Sequence, residues 1–403
     1  MSTSITKEFK NRFDNKDIRA VRSPLRICPI GAHSDHQDGR VTGMALEASI
    51  DLVYSPNEDG NVNVVSLDFD GEEKFNLKDE LDYIPGFWGN YLRGAVVSLQ
   101  KDYELIKGIN GVLGGSLPIG GLSSSAAVIT AYLMALCDVN GIELSELQLI
   151  HYNSTAEREF VGLKNGILDQ SANILSRNNH LMVMDCQTDD YKLIPKGESF
   201  PEFEVIVVFS GVTKNLTDSA FNNRTDECRV AGWLMSELDD QNDEDILPLE
   251  KVRLRDISSA TYKKYKGQLP GRFGRRAEHF YTEQARVEQG AKTWADGNIE
   301  TFGQLMFESG DSTFNNYETG IPEMKTIFDV LREAEGVYGG RPSGAGFRGS
   351  VIGLINPKYK DEIKAKLDEV FPKAHPEYAD KYEVNFVKTA DGASYIEDLE
   401  ELV

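Results

Sequence analysis

Three glycine-rich segments hold most of the residues whose types and spacing suggest chemistry. The first, residues 22–43 (RSPLRICPIGAHSDHQDGRVTG), places His33 and Asp35 in a turn-rich stretch. A carboxylate accepts hydrogen bonds from sugar hydroxyls, and an imidazole can donate or accept them. The His-x-Asp-His run is also compatible with a metal site or with a structural loop, although no further ligand cluster supports the metal.

The second segment, residues 117–128 (LPIGGLSSSAAV), joins two glycines to three serines. Glycines let backbone amides approach an anion closely, and the helix that the serines begin offers free N–H groups to a phosphate. The segment is not a Walker loop, because GxxxxGK[ST] is absent. Such a turn is often only structural, but a hydroxyl placed here can ligate the magnesium of a nucleotide.

The third segment, residues 342–354 (PSGAGFRGSVIGL), has three glycines before an apolar run. It is compatible with a tight turn leading into a strand. It is equally compatible with a loop whose backbone approaches the substrate or its phosphates.

Two carboxylates are candidates for catalysis within AEREFVGLKNGILDQ. Glu157 lies on a predicted helix, and Asp169 follows a glycine-containing turn. Most such residues are solvated surface groups. Phosphoryl transfer, however, needs a metal ligand and a group that orients or deprotonates the attacking hydroxyl.

The elements that must position these segments are a mixture of strands and helices. The acidic stretch 236–250 is interpreted as a solvated loop or helix face. The predicted elements indicate two α+β domains, residues 1–200 and 201–403. The predicted strands lie at 62–67, 73–77, 181–185, 205–209, 350–355 and 383–388, and the predicted helices at 87–104, 123–141, 144–160, 273–297, 300–312, 321–336 and 359–370.

Length, charge and cysteine content narrow the classes of protein. A chain of 403 residues is long enough for two domains. The net charge of −22 disfavours nucleic acid and anionic membranes, so any anion site must use helix ends, magnesium or placed arginines. Four widely spaced cysteines without a CxxC pair indicate free thiols. The lack of an apolar spanning run or a signal-like start favours a cytoplasmic protein.

In this order the three segments resemble those of the GHMP small-molecule kinases, and within that superfamily the galactokinases. The first is similar to the galactokinase signature GRVNLIGEHTDYNGG, the second to the phosphate loop PLGGGLSSSA and the third to GAGFGG. GFWGNYLRG at 86–94 and GILDQ at 166–170 also fit, so the resemblance covers about residues 22–355. It implies a two-domain α+β GHMP kinase fold with the active site between the domains, and an ATP-dependent sugar 1-kinase.

The resemblance also implies roles for individual residues. Asp169 matches the catalytic aspartate, which acts as the base for the anomeric hydroxyl, and Arg26 matches the arginine that pairs with it. Glu157 and Ser125 match the ligands of a magnesium ion that bridges the β- and γ-phosphates. The remaining matched positions are ATP contacts at Trp88, Pro118, Gly120, Gly121, Leu122, Ser123, Ser124 and Ser125, with Ser124 a second possible metal ligand, and sugar contacts at Ala32, His33, Asp35, Gly166, Phe221 and Arg348.

Three departures from the galactokinase pattern concern the sugar. Galactokinases have a glutamate at the position of Ala32, where it holds the hydroxyl on carbon 6. That glutamate would repel a uronate carboxylate by about 4 kcal/mol at 4 Å in a near-surface dielectric. Arg348 replaces a glycine and would either pair with a uronate or brace its loop, and Phe221 replaces a tyrosine. The combination GAHxDHQ with GAGFRG is the pattern of galacturonokinases, so we predict a galacturonate 1-kinase.

Other interpretations remain open. One alternative is a galactokinase or an arabinokinase with a remodelled pocket. Arabinose has no carbon 6, so Ala32 would suit it too, although Arg348 argues against this alternative. A non-catalytic sensor that binds ATP and sugar is disfavoured because Asp169 and Glu157 are retained. The sugar, its anomer and the oligomeric state stay open, with a monomer expected because many relatives are monomers. Four further cations, which the sequence does not rank, could assist an acidic substrate: Arg158, Lys164, Lys214 and Arg229.

Overall fold

The computed structural model describes residues 5–14, 16–117, 121–213, 220–239, 248–347, 349–399 and 402. Its strands are β1 (Arg19–Ile27), β2 (Arg40–Asn57), β3 (Asn61–Ser66), β4 (Glu72–Asn76), β5 (Gly108–Gly115), β6 (His180–Asp185), β7 (Tyr191–Pro195), β8 (Glu204–Phe209), β9 (Val337–Pro342), β10 (Ser350–Ile355), β11 (Glu383–Val387), β12 (Thr389–Ala390) and β13 (Ser394–Ile396). Its α-helices are α1 (Ile5–Arg12), α2 (Asn90–Leu99), α3 (Ser124–Asn140), α4 (Glu146–Thr155), α5 (Leu168–Leu175), α6 (Phe221–Leu238), α7 (Ser259–Tyr265), α8 (Gly271–Ala295), α9 (Ile299–Ser312), α10 (Pro322–Glu333) and α11 (Lys360–Ala374).

The larger sheet is organised by β2. This strand is 18 residues long, so different parts of it pair with β1, β5, β6 and β12. The main path runs β13-β1-β2-β5-β3-β4, and its pairs are antiparallel except β3 with β5. The sheet thereby brings the end of β1 close to the start of α3.

Helix α3 packs against the larger sheet and is apolar on nearly every side, as expected of a helix enclosed by protein. Ser123 precedes it with a left-handed φ of 58°. Gly141 ends it with a φ of 66°, donating its N–H to carbonyls of the last turn. The serine segment and the C-terminal glycine are where the sequence predicted them.

The smaller sheet has the order β11-β8-β10-β9 and is antiparallel throughout. Its apolar strand β8 faces two cores, with Val205 and Val207 in the main core and Ile206 and Val208 in a second core with α10 and α11. The continuous apolar run of β8, which predicted a buried strand, is explained because both faces of the strand are packed against protein.

The last strands return to the larger sheet. β12 pairs with β2 and β13 pairs with β1, so the chain after residue 388 packs against its own beginning. The division into domains at residues 1–200 and 201–403 stays a prediction. With that division, β12 and β13 of the second domain would pair with strands of the first.

Most predicted elements are confirmed, some with different bounds. The helix predicted over 87–104 is limited to α2, and the one over 144–160 becomes a π-helical turn, Ala156–Val161, after α4. The interpretation of residues 22–43 as turn-rich is wrong at both ends, since β1 and β2 occupy them. Also unpredicted were β5, β7, β9, β12, β13, α1, α5, α6 and α7. Within the described residues, no helix combines the length and apolar character needed to cross a membrane.

Candidate active site

A cavity of about 1140 Å³ lies between the two sheets. Arg26 at the end of β1 lines it from the larger sheet, and Phe209 of β8 lines it from the smaller sheet. All three glycine-rich segments reach this cavity, as the resemblance implied. The predicted site residues that line it are Arg26, Ala32, His33, Asp35, Trp88, Gly121, Ser123, Ser124, Ser125, Glu157, Asp169 and Phe221.

The carboxylate of Asp169 is held from two sides. Nη2 of the buried Arg26 lies 2.6 Å from Oδ1, and Nε donates to the same oxygen at 2.8 Å. Ser123 donates its hydroxyl to Oδ2 and accepts a 2.6 Å bond from Nη2 of Arg26. Because these three residues come from β1, the start of α3 and the start of α5, the tertiary fold fixes the direction of the carboxylate.

Glu157 is a fully buried carboxylate on the π-helical turn. Its Oε2 accepts from the side-chain amides of Asn165 and Gln170, both at 2.6 Å, whereas Oε1 has no hydrogen-bond partner. Burial, followed by the charge of Asp169, raises the pKa of Glu157 to about 7, against the opposing influence of Ser125. A buried oxygen in this state needs a proton or a cation.

The first segment presents Ala32 and His33 to the cavity. The carbonyl of Ala32 accepts a 3.0 Å bond from Nε2 of His279. His33 has a left-handed φ of 63° and stacks on Tyr317 at 4.3 Å, with Phe221 at 6.4 Å. Burial lowers the pKa of His33 well below its usual value, so the imidazole is neutral.

Asp35 is packed against the backbone that precedes α5. A Cβ on Gly166 would lie 2.6 Å from the Cβ of Asp35, so this approach requires glycine. The carboxylate accepts a long 3.4 Å bond from the N–H of Leu168. Burial, and then the charge of Asp169, raises the pKa of Asp35 to about 6.

The second and third segments touch directly. Ser343 donates its hydroxyl to the carbonyl of Gly121 at 2.6 Å, and a Cβ on Gly344 would lie 2.7 Å from the Cα of Gly121. Leu122 points into the main core, and its carbonyl accepts from the N–H of Arg26 at 3.1 Å. Pro118, Gly120, Lys214 and Arg348 lie outside the described residues.

Aromatic residues line the other end of the cavity. Trp88 is mostly buried and donates its indole N–H to the carbonyl of Asp70 at 3.1 Å. Phe69 and Tyr83 also line the cavity, and they are 47% and 40% exposed. Sequence reasoning missed both residues. The signal for Phe69 was weak, because it is a single aromatic between two aspartates.

Sequence reasoning also missed Arg341. It lies near the end of β9, directly before the third segment, and it lines the cavity while being 1% exposed. A single arginine within YGGRPSG was the only available signal. Lys164, Arg158 and Arg229 instead line a neighbouring pocket of about 540 Å³.

Comparisons with known proteins identify the family of this chain. Three family models match: GHMP kinases N terminal domain over residues 90–177, GHMP kinases C terminal over residues 290–373, and the galactokinase galactose-binding signature over residues 7–56. The chain is 38% identical over 387 residues to a galacturonokinase from Arabidopsis thaliana, covering 91% of this chain and 90% of that protein. It is 29% identical over 380 residues to a galactokinase from Roseiflexus sp. (strain RS-1), a match that covers 94% of this chain and 93% of that protein.

Solved structures show the same fold. Lactococcus lactis galactokinase complexed with galactose superposes with a TM-score of 0.87 at 24% identity, covering 97% of this chain and 98% of that one. Methanococcus jannaschii mevalonate kinase superposes with a TM-score of 0.63 at 16% identity. The match covers 92% of this chain and 98% of that one. The chain therefore belongs to the GHMP kinase family, and within it to the galactokinase-like sugar kinases. Sugar kinases of this family use ATP as the phosphoryl donor.

Proposed function

We propose that this kinase transfers the terminal phosphoryl group of ATP to the anomeric hydroxyl of galacturonate, giving galacturonate 1-phosphate. The observation that carries the proposal is the carboxylate of Asp169, held by Arg26 and Ser123 in the cavity that Ala32 also lines. The similarity to a galacturonokinase over most of both chains supports the choice of sugar.

In the proposed mechanism, Asp169 accepts the proton of the anomeric hydroxyl. The hydroxyl oxygen then forms a bond to the γ-phosphorus, the bond from that phosphorus to the β-bridging oxygen breaks, and ADP leaves. Arg26 holds the carboxylate of Asp169 in place by direct contact. Its Nη2, which also bonds Ser123, is placed to stabilise negative charge during transfer.

The phosphates would lie against the start of α3. Its first N–H groups have no partners within the helix and favour an anion. Ser123, Ser124 and Gly121 line the cavity there, and the third segment closes on Gly121 through Ser343. We assign the nucleotide base to the aromatic end of the cavity, near Trp88. Pro118, Gly120 and Leu122 remain predicted ATP contacts.

The donor set near Glu157 fits a magnesium ion. Its Oε1 is a buried oxygen without a partner, and Ser125 adds a hydroxyl from the first turn of α3, with Ser124 as the alternative. Such oxygens are the ligands that magnesium prefers, usually together with waters and substrate phosphates. When bound, the ion would neutralise charge that develops on the phosphates.

The sugar would lie against the first segment. Neutral His33 and the carboxylate of Asp35 are placed to hydrogen-bond sugar hydroxyls, and Phe221 lines the same cavity. Gly166 packs against Asp35 and lines the neighbouring pocket, so it would act on the sugar through Asp35. Ala32 leaves room and removes a negative charge where galactokinases carry glutamate. Arg348 remains a predicted contact. We further propose a cytoplasmic monomer. Its net charge of −22 supports the proposal that it binds neither nucleic acid nor membranes.

The test is ADP release with a panel of free sugars at saturating magnesium and ATP. The panel contains galacturonate, glucuronate, galactose and L-arabinose, and the Asp169→Ala variant is the control for contaminating activity. A clear preference for galacturonate supports the proposal. A preference for galactose or arabinose would assign the chain to the alternative sugar kinases, and no turnover with any sugar would favour a non-catalytic sensor.

A further inference from the structure

The neighbouring pocket of about 540 Å³ is lined by several positively charged side chains. They come from different parts of the chain: Arg158 lies on the π-helical turn, Lys164 follows that turn, Arg229 lies on α6, and Arg253 lies in the segment after α6. The chain as a whole has a net charge of −22, so composition alone does not explain this convergence of cations on one concave surface.

The guanidinium of Arg229 is buried and incompletely paired. Its side chain is 11% exposed, and its Nη1 donates to Oδ1 of Asp226 at 3.2 Å. Its Nε is buried and has no hydrogen-bond partner among the described residues. Burial lowers the pKa of Arg229, and the charges of Arg253 and Arg158 lower it too, against the influence of Asp226. These guanidinium groups are therefore close enough to repel one another, and an anion between them would relieve that repulsion.

The carboxylates beside these cations are shared or distant. Asp226 pairs with Lys164 as well as with Arg229. Asp38 lies 3.5 Å from Nε of Arg253, which is long for a charge-assisted hydrogen bond. Each carboxylate thus leaves part of the hydrogen-bonding capacity of its partners unused.

Arg158 has no ion pair with any residue that the structure describes. Two further acids line the pocket, but they have other partners: Glu159 pairs with Lys101, and Asp189 lies 2.9 Å from Nε2 of His151. The donors of Arg158 and the free Nε of Arg229 therefore remain for a ligand.

We propose that the neighbouring pocket binds the phosphate group of a small molecule through Arg158, Arg229 and Arg253. The fork of a guanidinium matches two oxygens of a phosphate, and such charge-assisted bonds are strong. A volume of about 540 Å³ is that of a small-ligand site and exceeds the need of a phosphate ion, so the ligand is either free phosphate or a sugar phosphate. This site is separate from the one proposed for ATP and does not depend on which sugar the kinase phosphorylates.

The neighbouring pocket shares a wall with the main cavity. Asp35, Leu163 and Asn165 line both, and Gly166, which packs against Asp35, lines the neighbouring pocket. Negative charge bound there would repel the ionised carboxylate of Asp35 and oppose its role as an acceptor for sugar hydroxyls. Occupation of the pocket is therefore expected to raise KM for the sugar with little change in kcat.

The test is calorimetric titration of the full chain with inorganic phosphate and with galactose 1-phosphate. The protein is first saturated with magnesium and a non-hydrolysable ATP analogue, so that the phosphate end of the main cavity is filled. Arg229→Met and Arg158→Met should each weaken binding by about tenfold or more, because each removes charge-assisted hydrogen bonds. Arg177→Met is the control and should bind like the wild type, since Arg177 is exposed, pairs with Glu146 and lines neither pocket.

The two probes distinguish the sources of the phosphate group. Similar affinities would identify free phosphate as the ligand, whereas binding of galactose 1-phosphate about tenfold tighter or more would identify a sugar phosphate. In turnover assays at saturating ATP, the tighter probe should raise the apparent KM for the sugar by about threefold or more in the wild type and in Arg177→Met, but not in Arg229→Met.

Three outcomes would overturn the inference. The first is the absence of saturable binding of either probe, which would leave the arginines as solvated surface groups. The second is equal affinity in the wild type, Arg229→Met and Arg158→Met, which would place the probe elsewhere. If Arg229→Met does not fold, Arg158→Met decides, because its side chain is exposed. The third is an unchanged KM for the sugar at saturating probe, which would refute the coupling through Asp35.

Discussion

Nη2 of Arg26 lies 2.6 Å from Oδ1 of Asp169, although 143 residues separate the two along the chain. The second oxygen of Asp169 accepts the hydroxyl of Ser123, which begins the helix proposed to bind phosphate. Asp169, the proposed proton acceptor, is thus hydrogen-bonded to the start of the helix proposed to bind the phosphates. This arrangement suits a transfer that depends on positioning and electrostatics.

Asp169→Asn should lower kcat by about 10²–10⁴-fold, because an amide keeps the shape of the side chain but does not accept the proton. The affinity for ATP, measured by nucleotide titration, should change little. Asp311→Asn removes an exposed carboxylate paired with Arg332 and serves as the matched control. An unchanged rate for Asp169→Asn would exclude its role as the base.

Glu157→Gln should raise the magnesium concentration required for half-maximal activity by about tenfold or more, since an amide oxygen carries no charge for the ion. Magnesium titration at fixed ATP measures this. Glu159→Gln is the control two residues along, because Glu159 is exposed and paired with Lys101. Equal magnesium requirements in both variants would contradict the assignment of Glu157.

The pH dependence of kcat/KM for the sugar should follow the protonation of Asp35. Its pKa is raised to about 6 by burial and by Asp169. kcat/KM for the sugar should therefore fall as the pH drops through about 6, because protonated Asp35 is a weaker acceptor for sugar hydroxyls. Asp35→Asn should be less active and should lose this acid limb. A limb unaltered in Asp35→Asn would have to come from another group.

The raised pKa of Asp35 also predicts how the stability of the folded protein changes with pH. Because the folded-state pKa of about 6 exceeds the ordinary 3.8, the unfolded chain binds fewer protons between these values. Stability from this group is greatest below about pH 4 and declines as the pH rises to 6. Asp35→Asn should therefore melt higher than wild type at pH 7, and melting curves at pH 4 should show the difference reduced.

Gly166→Ala should raise KM for the sugar by about tenfold with little change in KM for ATP. The new Cβ would lie 2.5–2.7 Å from atoms of Asp35 and would displace its carboxylate. Gly267→Ala is the control, since a Cβ there meets no atom within 4 Å. Steady-state kinetics with each substrate varied separately distinguishes this effect from a general loss of stability.

Ala32→Glu should shift the ratio of kcat/KM for galactose over galacturonate by about 10²–10³-fold, from the repulsion between two carboxylates about 4 Å apart. Competition between the two sugars in one reaction measures the ratio directly. No shift would show that position 32 does not face carbon 6.

Local sequence determined a large part of this protein. The serines before α3 and Gly141 after it set the bounds of that helix, and the apolar runs of β6, β8 and β10 read as strands because each is covered by protein. The order of the three glycine-rich segments sufficed to indicate the family. These features were readable because capping, turn formation and burial patterns act over a few residues.

The tertiary structure decided the rest. β1 was not predicted because its proline and arginines resemble a loop, and pairing with β2 makes it a strand. The burial of Arg341 was likewise not predicted, since most arginines lie on the surface. Only the fold shows that this arginine is buried beside the cavity and that Glu283 pairs with Arg286. Contacts between distant segments, which local propensities do not encode, determine which charged side chains are buried and which partners they have.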